Sequence, residues 1–356
     1  MRRKPFPLMQ KAIPVVKKDE FIFAAVSLEH AHIYNMCHGL IDAGATLKWV
    51  YDSDLQKVAA FMKEFPQAKM ANDLDEILAD PQVQLVAAAG IPCERCALGL
   101  RIMDAGKDYF CDKPPLTTLE QVALVKAQVK KTGRKYMVNY SERLHVECAV
   151  YACLLIQSGA IGTVLQVIGL GPHSLRKSSR PEWFFQREKY GGILCDIGSH
   201  QIEQYLYYSG ATDAQITYAR VANYHNPDHP ELNDFGDCAL LGNNGTTNYF
   251  RVDWFSPPGL SSWGDGRTII LGTEGYLELR KNCNITQSAT PDHIYLVDGE
   301  GEIYIPVHGK VGYPFFGQLV LDCMHRTETA MTQAHALKAA ELCIRAQIAA
   351  EAQEKK

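Results

Sequence analysis

The sequence predicts an α/β domain built on a doubly wound parallel sheet, followed by an α+β domain with a largely antiparallel open sheet. First, short apolar segments alternate with helical segments over about 120 residues, which is typical of β-α-β units. Second, the segments after Tyr140 are longer and joined by turns such as Gly-Asn-Asn-Gly at 242–245, which indicates antiparallel pairing. Third, 356 residues are enough for two domains, which we place at 1–140 and 141–356.

Continuous apolar runs predict the strands of the first domain, because strands that are buried on both faces carry few polar residues. These runs lie at 21–27, 46–52, 84–90, 107–114 and 135–141. Helical periodicity predicts the intervening helices, and Gly44, Gly106 and Gly133 follow three of them, as glycine commonly does just past a helix C-terminus. The predicted helices lie at 32–44, 53–65, 71–83, 93–106 and 118–133.

The second domain is predicted to begin with a helix at 144–159 and to end with one at 334–356. Between them, five segments favour extended structure, and some contain a turn that splits them into hairpins. These segments lie at 163–172, 214–225, 238–255, 267–281 and 294–307. Their arrangement predicts a meander-like sheet.

The composition is that of an ordinary globular protein, with 47% hydrophobic and 21% charged residues and a formal net charge of −4. With no basic surplus, we expect no nucleic-acid partner. The N-terminus is basic but has no apolar core of a secretory signal, and no apolar run approaches the ~18 residues of a membrane span. Eleven scattered cysteines, an odd number, fit reduced thiols and predict a cytoplasmic protein without a membrane partner.

Lys113 is a candidate catalytic residue in the segment GKDYFCDKPP. It lies just past the carboxyl end of a predicted parallel strand, where ligands collect in open α/β sheets. The adjacent Pro114 fixes the backbone and helps to aim the lysine. The alternative is a surface lysine in a proline turn.

Asp196 and His200 form a second candidate pair in the segment KYGGILCDIGSHQIEQYLYYSG. At positions i and i+4 of a helix they share one face, about 6 Å apart. A carboxylate can orient an imidazole and raise its basicity, which suits proton transfer to or from a hydroxyl. The alternative is an internal hydrogen bond that only holds the helix in place.

Taken together, these two motifs resemble the Gfo/Idh/MocA family, the glucose–fructose oxidoreductase and inositol dehydrogenase group. Its usual patterns are Glu-Lys-Pro after a strand and Gly-Gly-x-x-x-Asp-x-Gly-x-His-x-x-Asp. Here Asp112 replaces the first glutamate and Glu203 replaces the last aspartate. The segments 89–121 and 138–164 are also similar to the family, and the resemblance covers about residues 20–345.

The resemblance implies a Rossmann-type first domain and an NAD(P)-dependent oxidoreductase that transfers hydride between a nicotinamide and a sugar, cyclitol or related carbinol. Lys113 would stabilise the alkoxide or assist as a base, and His200 would be the general acid/base. Asp196 would bind substrate hydroxyls and position His200. The broad sheet face of the family implies a homodimer or homotetramer.

The phosphate-binding turn departs from the family, since its G-x-G-x-x-G fingerprint falls on Ser27, Glu29 and His32. Glu29 places an anionic side chain near two phosphates, which predicts weakened, altered or absent dinucleotide binding. Asp52 ends the second strand, where it favours NAD over NADP by bonding the ribose; alternatively it caps the next helix. The expected cofactor contacts are Ser27, Leu28, Glu29, His30, His32, Asp52, Ala89, Pro92, Asp112 and Lys113.

Substrate contacts are expected from Tyr140, Arg143, Trp183 and Tyr190, together with Asp196 and His200. Aromatic faces suit the apolar faces of sugar rings, although packing explains Trp183 and Tyr190 equally well. Tyr140 and Arg143 lie at the domain junction. Arg143 is alternatively an interdomain salt bridge.

Four other interpretations stay open. The same residues suit an NAD-recycling lyase or glycosidase, and loss of all three glycines suits a non-catalytic carbohydrate sensor. His30 and His32 resemble the His-x-His of metal hydrolases built on barrels, although a barrel needs further β-α units. Cys93 and Cys96 form a C-x-x-C whose alternatives are redox activity and two ordinary thiols. The leading hypothesis needs no metal.

Overall fold

The computed structural model describes residues 14–354 and contains two sheets, as the sequence predicts. Most of the basic N-terminal segment lies outside the described residues. The first sheet has six parallel strands in the order β3-β2-β1-β4-β5-β6. They span Ile22–Val26 (β1), Thr46–Tyr51 (β2), Lys69–Met70 (β3), Val83–Ala88 (β4), Asp108–Asp112 (β5) and Tyr136–Asn139 (β6).

The strand order of the first sheet reverses at β1, which pairs with β2 on one side and with β4 on the other. In open α/β sheets a ligand crevice forms at this point, outside the carboxyl ends of the strands. The doubly wound prediction is therefore confirmed. Only the two-residue β3 was not predicted, because so short a strand leaves no periodic signal.

Five helices connect these strands and begin and end on recognisable sequence signals. Asp54 caps the second helix by accepting from the Gln56 N–H, and Thr118 forms a capping box with Gln121. Gly133 ends the fifth helix in a left-handed conformation. The helices span His32–Asp42 (α1), Leu55–Glu64 (α2), Leu74–Ala79 (α3), Arg95–Asp104 (α4) and Leu119–Thr132 (α5).

The second sheet has eight strands in the order β14-β13-β12-β11-β7-β10-β9-β8. Only the β7–β10 pair is parallel, so the prediction of largely antiparallel pairing is confirmed. The strands span Val164–Pro172 (β7), Ala214–Ala222 (β8), Phe235–Gly242 (β9), Thr247–Asp253 (β10), Arg267–Gly272 (β11), Gly275–Arg280 (β12), His293–Asp298 (β13) and Gly301–Pro306 (β14).

Short helical segments place the candidate residues between the two sheets. Gly191 and Gly192, both with φ of +89°, separate two of these segments. The remaining helices span Ser141–Leu144 (α6), Glu147–Gln157 (α7), Arg187–Tyr190 (α8), Ile193–Asp196 (α9), Gly198–Ser209 (α10), Pro314–His325 (α11) and Gln333–Glu354 (α12). α12 packs against α5 and β6 as well as α9, α10 and β8, so it joins both halves of the chain.

One face of the second sheet is buried and the other carries exposed apolar side chains. Contiguous patches of this kind commonly mark protein–protein contacts. The exposed apolar residues of this face include Leu165, Tyr218, Leu241, Tyr249, Ile269, Leu271, Tyr276 and Tyr304. Across the described residues, no helix is both long enough and apolar enough to span a membrane.

Candidate active site

A cavity of about 750 Å³ lies between the carboxyl edge of the first sheet and the second half of the chain. It is lined by residues at the start of α1 and by side chains of the second half of the chain, among them His200 and Trp254. It therefore occupies the crevice that the strand order predicts. Among its lining residues are His30, His32, Pro92, Lys113, Trp183, Tyr190, Asp196 and His200 from the sequence-based candidates.

Lys113 and Asp196 form an ion pair in this cavity. Lys113 follows β5, and its Nζ lies 2.5 Å from Oδ1 of Asp196, at the end of α9. Both residues are less than 10% exposed. Burial alone would raise the pKa of Asp196, but the Lys113 ammonium lowers it. The pair therefore holds a cation at the cavity wall, and the surface-lysine alternative does not describe this residue.

His200, on α10, is 3% exposed, and its Nδ1 has no hydrogen-bond partner within residues 14–354. Burial lowers the pKa of its imidazole to about 3, with the Glu142 carboxylate opposing the shift. The imidazole is consequently uncharged at neutral pH, as a general base must be before it acts. Within the described residues, His200 forms no hydrogen bond with the Asp196 carboxylate, which instead accepts one from Lys113.

A second acidic residue, Glu142, faces His200 and was not predicted from the sequence. Its Oε2 accepts hydrogen bonds from Lys281 Nζ at 2.7 Å and Gln201 Nε2 at 3.2 Å. Its Oε1 lies 3.8 Å from Nε2 of His173. Burial would raise the pKa of Glu142, but Lys281 and His200 hold it well below its usual value. These residues come from elements that are far apart in the sequence. No local spacing therefore predicts that they lie together.

The turn after β1 is built without glycine. Ser27 takes the left-handed conformation, with φ of +53°, that a glycine adopts more readily. The Leu28 N–H donates to Oδ2 of Asp52 at 2.6 Å, and the His30 N–H donates to the Ala89 carbonyl at 3.0 Å. Bonds from β2 and β4 thus hold the turn in place.

The charge of Glu29 is offset within the protein. Its Oε1 forms an ion pair with Lys57, and its Oε2 accepts a hydrogen bond from Trp183 Nε1 at 3.1 Å. The repulsion that the sequence alone suggests is therefore reduced by an adjacent cation. Trp183 reaches Glu29 from the second half of the chain and closes one side of the crevice.

His30 and His32 both point toward Asp112. Nδ1 of His32 lies 2.9 Å from Oδ1 of Asp112, and Nδ1 of His30 lies 3.7 Å from Oδ2. The three residues offer ligand atoms within 4.8 Å of one another. Arg95 is 3.6 Å from the same Oδ2 and 1% exposed, so a buried cation already balances this carboxylate. The first sheet is open and does not close into a barrel, so the metal-hydrolase alternative, which requires a barrel, does not fit this fold.

The residues around the crevice fit a dinucleotide. At the start of α1 the N–H groups of His32, Ile33 and Tyr34 already donate to His30 or Ala31. Those of Glu29 and Ala31 have no acceptor in the described part of the chain, and Ala31 lines the cavity. Free N–H groups at a helix N-terminus bind phosphate. Asp52 caps the following segment, accepting from Asp54 N–H at 2.8 Å as well as from Leu28, but each carboxylate oxygen keeps a lone pair for a ribose hydroxyl.

Two of the expected substrate contacts lie away from the cavity. Tyr140 is fully buried, and its hydroxyl donates to the Ala336 carbonyl at 3.0 Å. Arg143 donates to Glu203 at 2.7 Å and lies over the ring of Tyr207. Arg143 therefore forms a salt bridge, but it joins α6 to α10 within residues 141–356 and is not the predicted bridge between domains.

The C-x-x-C thiols are not activated. Burial raises the pKa of Cys96 to about 11, and the pKa of Cys93 is also raised by burial. A reactive cysteine needs a lowered pKa, so the ordinary-thiol alternative is favoured. All eleven cysteines are free.

Comparisons with known proteins agree with this geometry. The model of the oxidoreductase family with an NAD-binding Rossmann fold matches residues 25–140, and the model of the GFO/IDH/MocA C-terminal domain matches residues 151–278. A 1.25 Å crystal structure from Erwinia carotovora atroseptica SCRI1043, named no more specifically than as an oxidoreductase, is 52% identical. It has a TM-score of 0.90, with 93% of this chain and 99% of that chain covered.

More distant relatives share the fold or part of the sequence. D-xylose dehydrogenase from Paenarthrobacter nicotinovorans is 26% identical over 149 residues, which cover 40% of this chain and 38% of that protein. The matches span 38–55% of the length of the first curated relatives. Levoglucosan dehydrogenase in complex with NADH and levoglucosan has the same fold, with a TM-score of 0.78, 17% identity, and coverage of 94% of this chain and 98% of that chain. The chain therefore belongs to the Gfo/Idh/MocA oxidoreductase family.

Proposed function

We propose that this protein is an NAD-dependent oxidoreductase that acts on a secondary hydroxyl of a carbohydrate, cyclitol or related carbinol. The observation that carries the proposal is the convergence of Lys113, Asp196 and His200 on one cavity that begins at the N-terminus of α1. The dehydrogenase names of several relatives support it.

Each of the three residues has a role that its surroundings suit. A bound nicotinamide dinucleotide supplies the two-electron redox chemistry. Uncharged His200 accepts the hydroxyl proton, and the Lys113 ammonium stabilises the developing alkoxide. Asp196 keeps the ammonium in place. In the reverse direction His200 returns the proton.

Glu142 assists His200 without touching the substrate hydroxyl. When His200 takes up a proton, the nearby carboxylate favours the imidazolium, since opposite charges attract strongly in a buried site. Glu142 is therefore a positioning residue in this proposal.

NAD is favoured over NADP because Asp52, which directly follows β2, has a carboxylate and is 7% exposed. A ribose 2′-hydroxyl can donate to that carboxylate, whereas a 2′-phosphate would be repelled by it. Trp183 and Tyr190, which line the cavity, provide apolar surface for a sugar ring.

We also propose that copies of the chain associate through the exposed apolar face of the second sheet, as a homodimer or homotetramer. Such a face is typical of surfaces that become buried on assembly. Eleven free cysteines support a cytoplasmic location, where thiols stay reduced.

The test is a panel of sugars and cyclitols assayed for NADH formation with the wild type, Lys113→Met and His200→Asn. Each substitution should lower kcat by roughly 10²-fold or more, the usual contribution of positioned proton transfer or oxyanion stabilisation. Lys131→Met is the matched control, because Lys131 pairs with Asp104 on the surface. Unchanged turnover in both site variants would refute the proposal.

A further inference from the structure

Two arginines at the cavity have no acidic partner. Three of the cations that line it are balanced: Arg95 lies beside Asp112, Lys113 beside Asp196, and Lys281 beside Glu142. The other two, Arg176 and Arg180, lie in the segment between β7 and α8. Within residues 14–354, neither guanidinium has a carboxylate oxygen within ion-pair distance. Both guanidinium groups therefore lack a direct ion-pair partner, although the Asp196 carboxylate still favours the charged form of Arg180, and Arg176 is exposed to solvent.

The guanidinium group of Arg180 is fixed in position, and its terminal nitrogens are available to a ligand. Its Nε donates to the Leu175 carbonyl at 2.9 Å. Its guanidinium carbon lies 4.4 Å from the ring centroid of Phe184 and 5.0 Å from that of Trp254. One N–H and both aromatic contacts fix the planar group, while its terminal nitrogens donate to nothing in the described part of the chain. An arginine fixed in this way suits a carboxylate or phosphate, which it binds through two parallel hydrogen bonds.

Arg176 lies beside the same wall in an unfavourable backbone conformation. Its φ of +48° is in the left-handed region, which residues other than glycine adopt at an energetic penalty. Strain of this kind is often found at functional sites. The next residue, Lys177, pairs with Asp228, and neither of these two residues lines the cavity. Arg176 and Lys177 therefore face different parts of the protein.

We propose that the substrate of this enzyme carries an anionic group, as a sugar acid or sugar phosphate does, and that Arg180 and Arg176 bind it. The inference rests on the proposed function and narrows its substrate class. A carboxylate there would offset one of the two positive charges, and a phosphate group would offset nearly both. The aromatic rings of Phe184 and Trp254 would meanwhile shield the ion pair from water and strengthen it.

The phosphates of the cofactor are another source of the same chemistry. Arg180 lies against Trp254, which follows β10 in the second sheet, whereas the free N–H groups for phosphate lie at the start of α1. This contact with the second sheet is the reason for assigning the arginines to the substrate in this proposal. An experiment must nevertheless measure both ligands.

The experiment is calorimetric titration of the full-length protein, saturated with NADH, with matched pairs. D-glucose is compared with D-glucuronate and with glucose 6-phosphate, and D-galactose with D-galacturonate. At least one acidic member should bind about tenfold or more tighter than its neutral twin, as expected for a charge-assisted bidentate contact. Arg180→Met should remove that preference, and Arg180→Lys should restore only part of it. Lys177→Met, the control from the same loop, should retain it.

NADH titrations of the same variants separate the possible outcomes. Unchanged NADH affinity in Arg180→Met, together with a lost acid preference, supports the inference. Weaker NADH binding with an intact sugar preference overturns it and assigns the arginines to the cofactor. Equal binding of neutral and acidic twins overturns it while leaving the oxidoreductase proposal standing. Failure of every sugar and of NADH to bind overturns both.

Discussion

Replacing His200 by glutamine should make the protein less sensitive to acid. Burial lowers the pKa of His200 to about 3 in the folded state, whereas an unfolded histidine has a pKa of about 6.5. As the pH falls below about 6.5, His200 binds a proton in the unfolded chain but not in the folded protein. The free energy of unfolding therefore decreases. Stability is therefore present above the unfolded pKa and is lost as the pH falls toward the folded one.

The magnitude follows from the interval between the two pKa values. Each pH unit in which only the unfolded chain is protonated lowers the free energy of unfolding by about 1.4 kcal/mol. Between about pH 7 and about pH 5, His200 alone should account for about 2 kcal/mol. His200→Gln should lose that part of the pH dependence, because glutamine does not titrate.

Urea denaturation of the wild type and the variant at both pH values measures this difference. His38→Gln is the matched control, since His38 lies on the surface of α1 beside Glu64 and is half-exposed. The control should retain the part of the pH dependence that His200 contributes. The same pH dependence in His200→Gln as in the wild type would show that this imidazole is not buried uncharged.

Two further predictions concern the turn and the segment that carries Asp196. Lys57→Met should weaken NADH binding several-fold, because it leaves the Glu29 carboxylate unpaired beside the phosphates. Adding Glu29→Gln to the Lys57→Met variant should restore the affinity. Calorimetry measures all three proteins, and equal NADH affinity in all of them would contradict the prediction. Gly192→Ala should destabilise the protein by at least about 2 kcal/mol, since a Cβ there, at a φ of +89°, would lie 2.2 Å from the side-chain amide of Gln347. That amide is fully buried and is held by hydrogen bonds with the Leu194 N–H and Asn233, so it cannot move aside freely. Gly210 has a φ of +70°, but a Cβ there would have no heavy atom within 4 Å, so Gly210→Ala should show only the smaller backbone effect in a urea assay. Equal losses of unfolding free energy in the two variants would show that a steric clash with Gln347 is not the cause.

The sheets were predictable because their signals are local. Buried parallel strands such as β1 and β4 are continuous apolar runs, and the glycine turn at 242–245 marks a hairpin. Lys113 and His200 were predictable for the same reason, since each lies in a short motif. Both line the cavity.

The remaining parts of the site depend on contacts between distant segments. Glu142 meets Lys281 across 139 residues, and Glu29 meets Lys57 across 28, so no spacing reveals either pair. The repulsion expected from Glu29 could not be corrected without knowing where Lys57 lies. Tyr140 was expected at the cleft because it ends the first domain, but its side chain turns into the core.

The central claim is that the glycine-free turn after β1 still binds a dinucleotide. Calorimetric titration of the purified protein with NADH tests it most directly, with Ala31→Asp as the companion variant because Ala31 lines the cavity at the start of α1. Saturable binding that Ala31→Asp abolishes or greatly weakens is the predicted result, since a carboxylate there would repel the phosphates. No binding by the wild type, or equal binding by both proteins, would contradict the account.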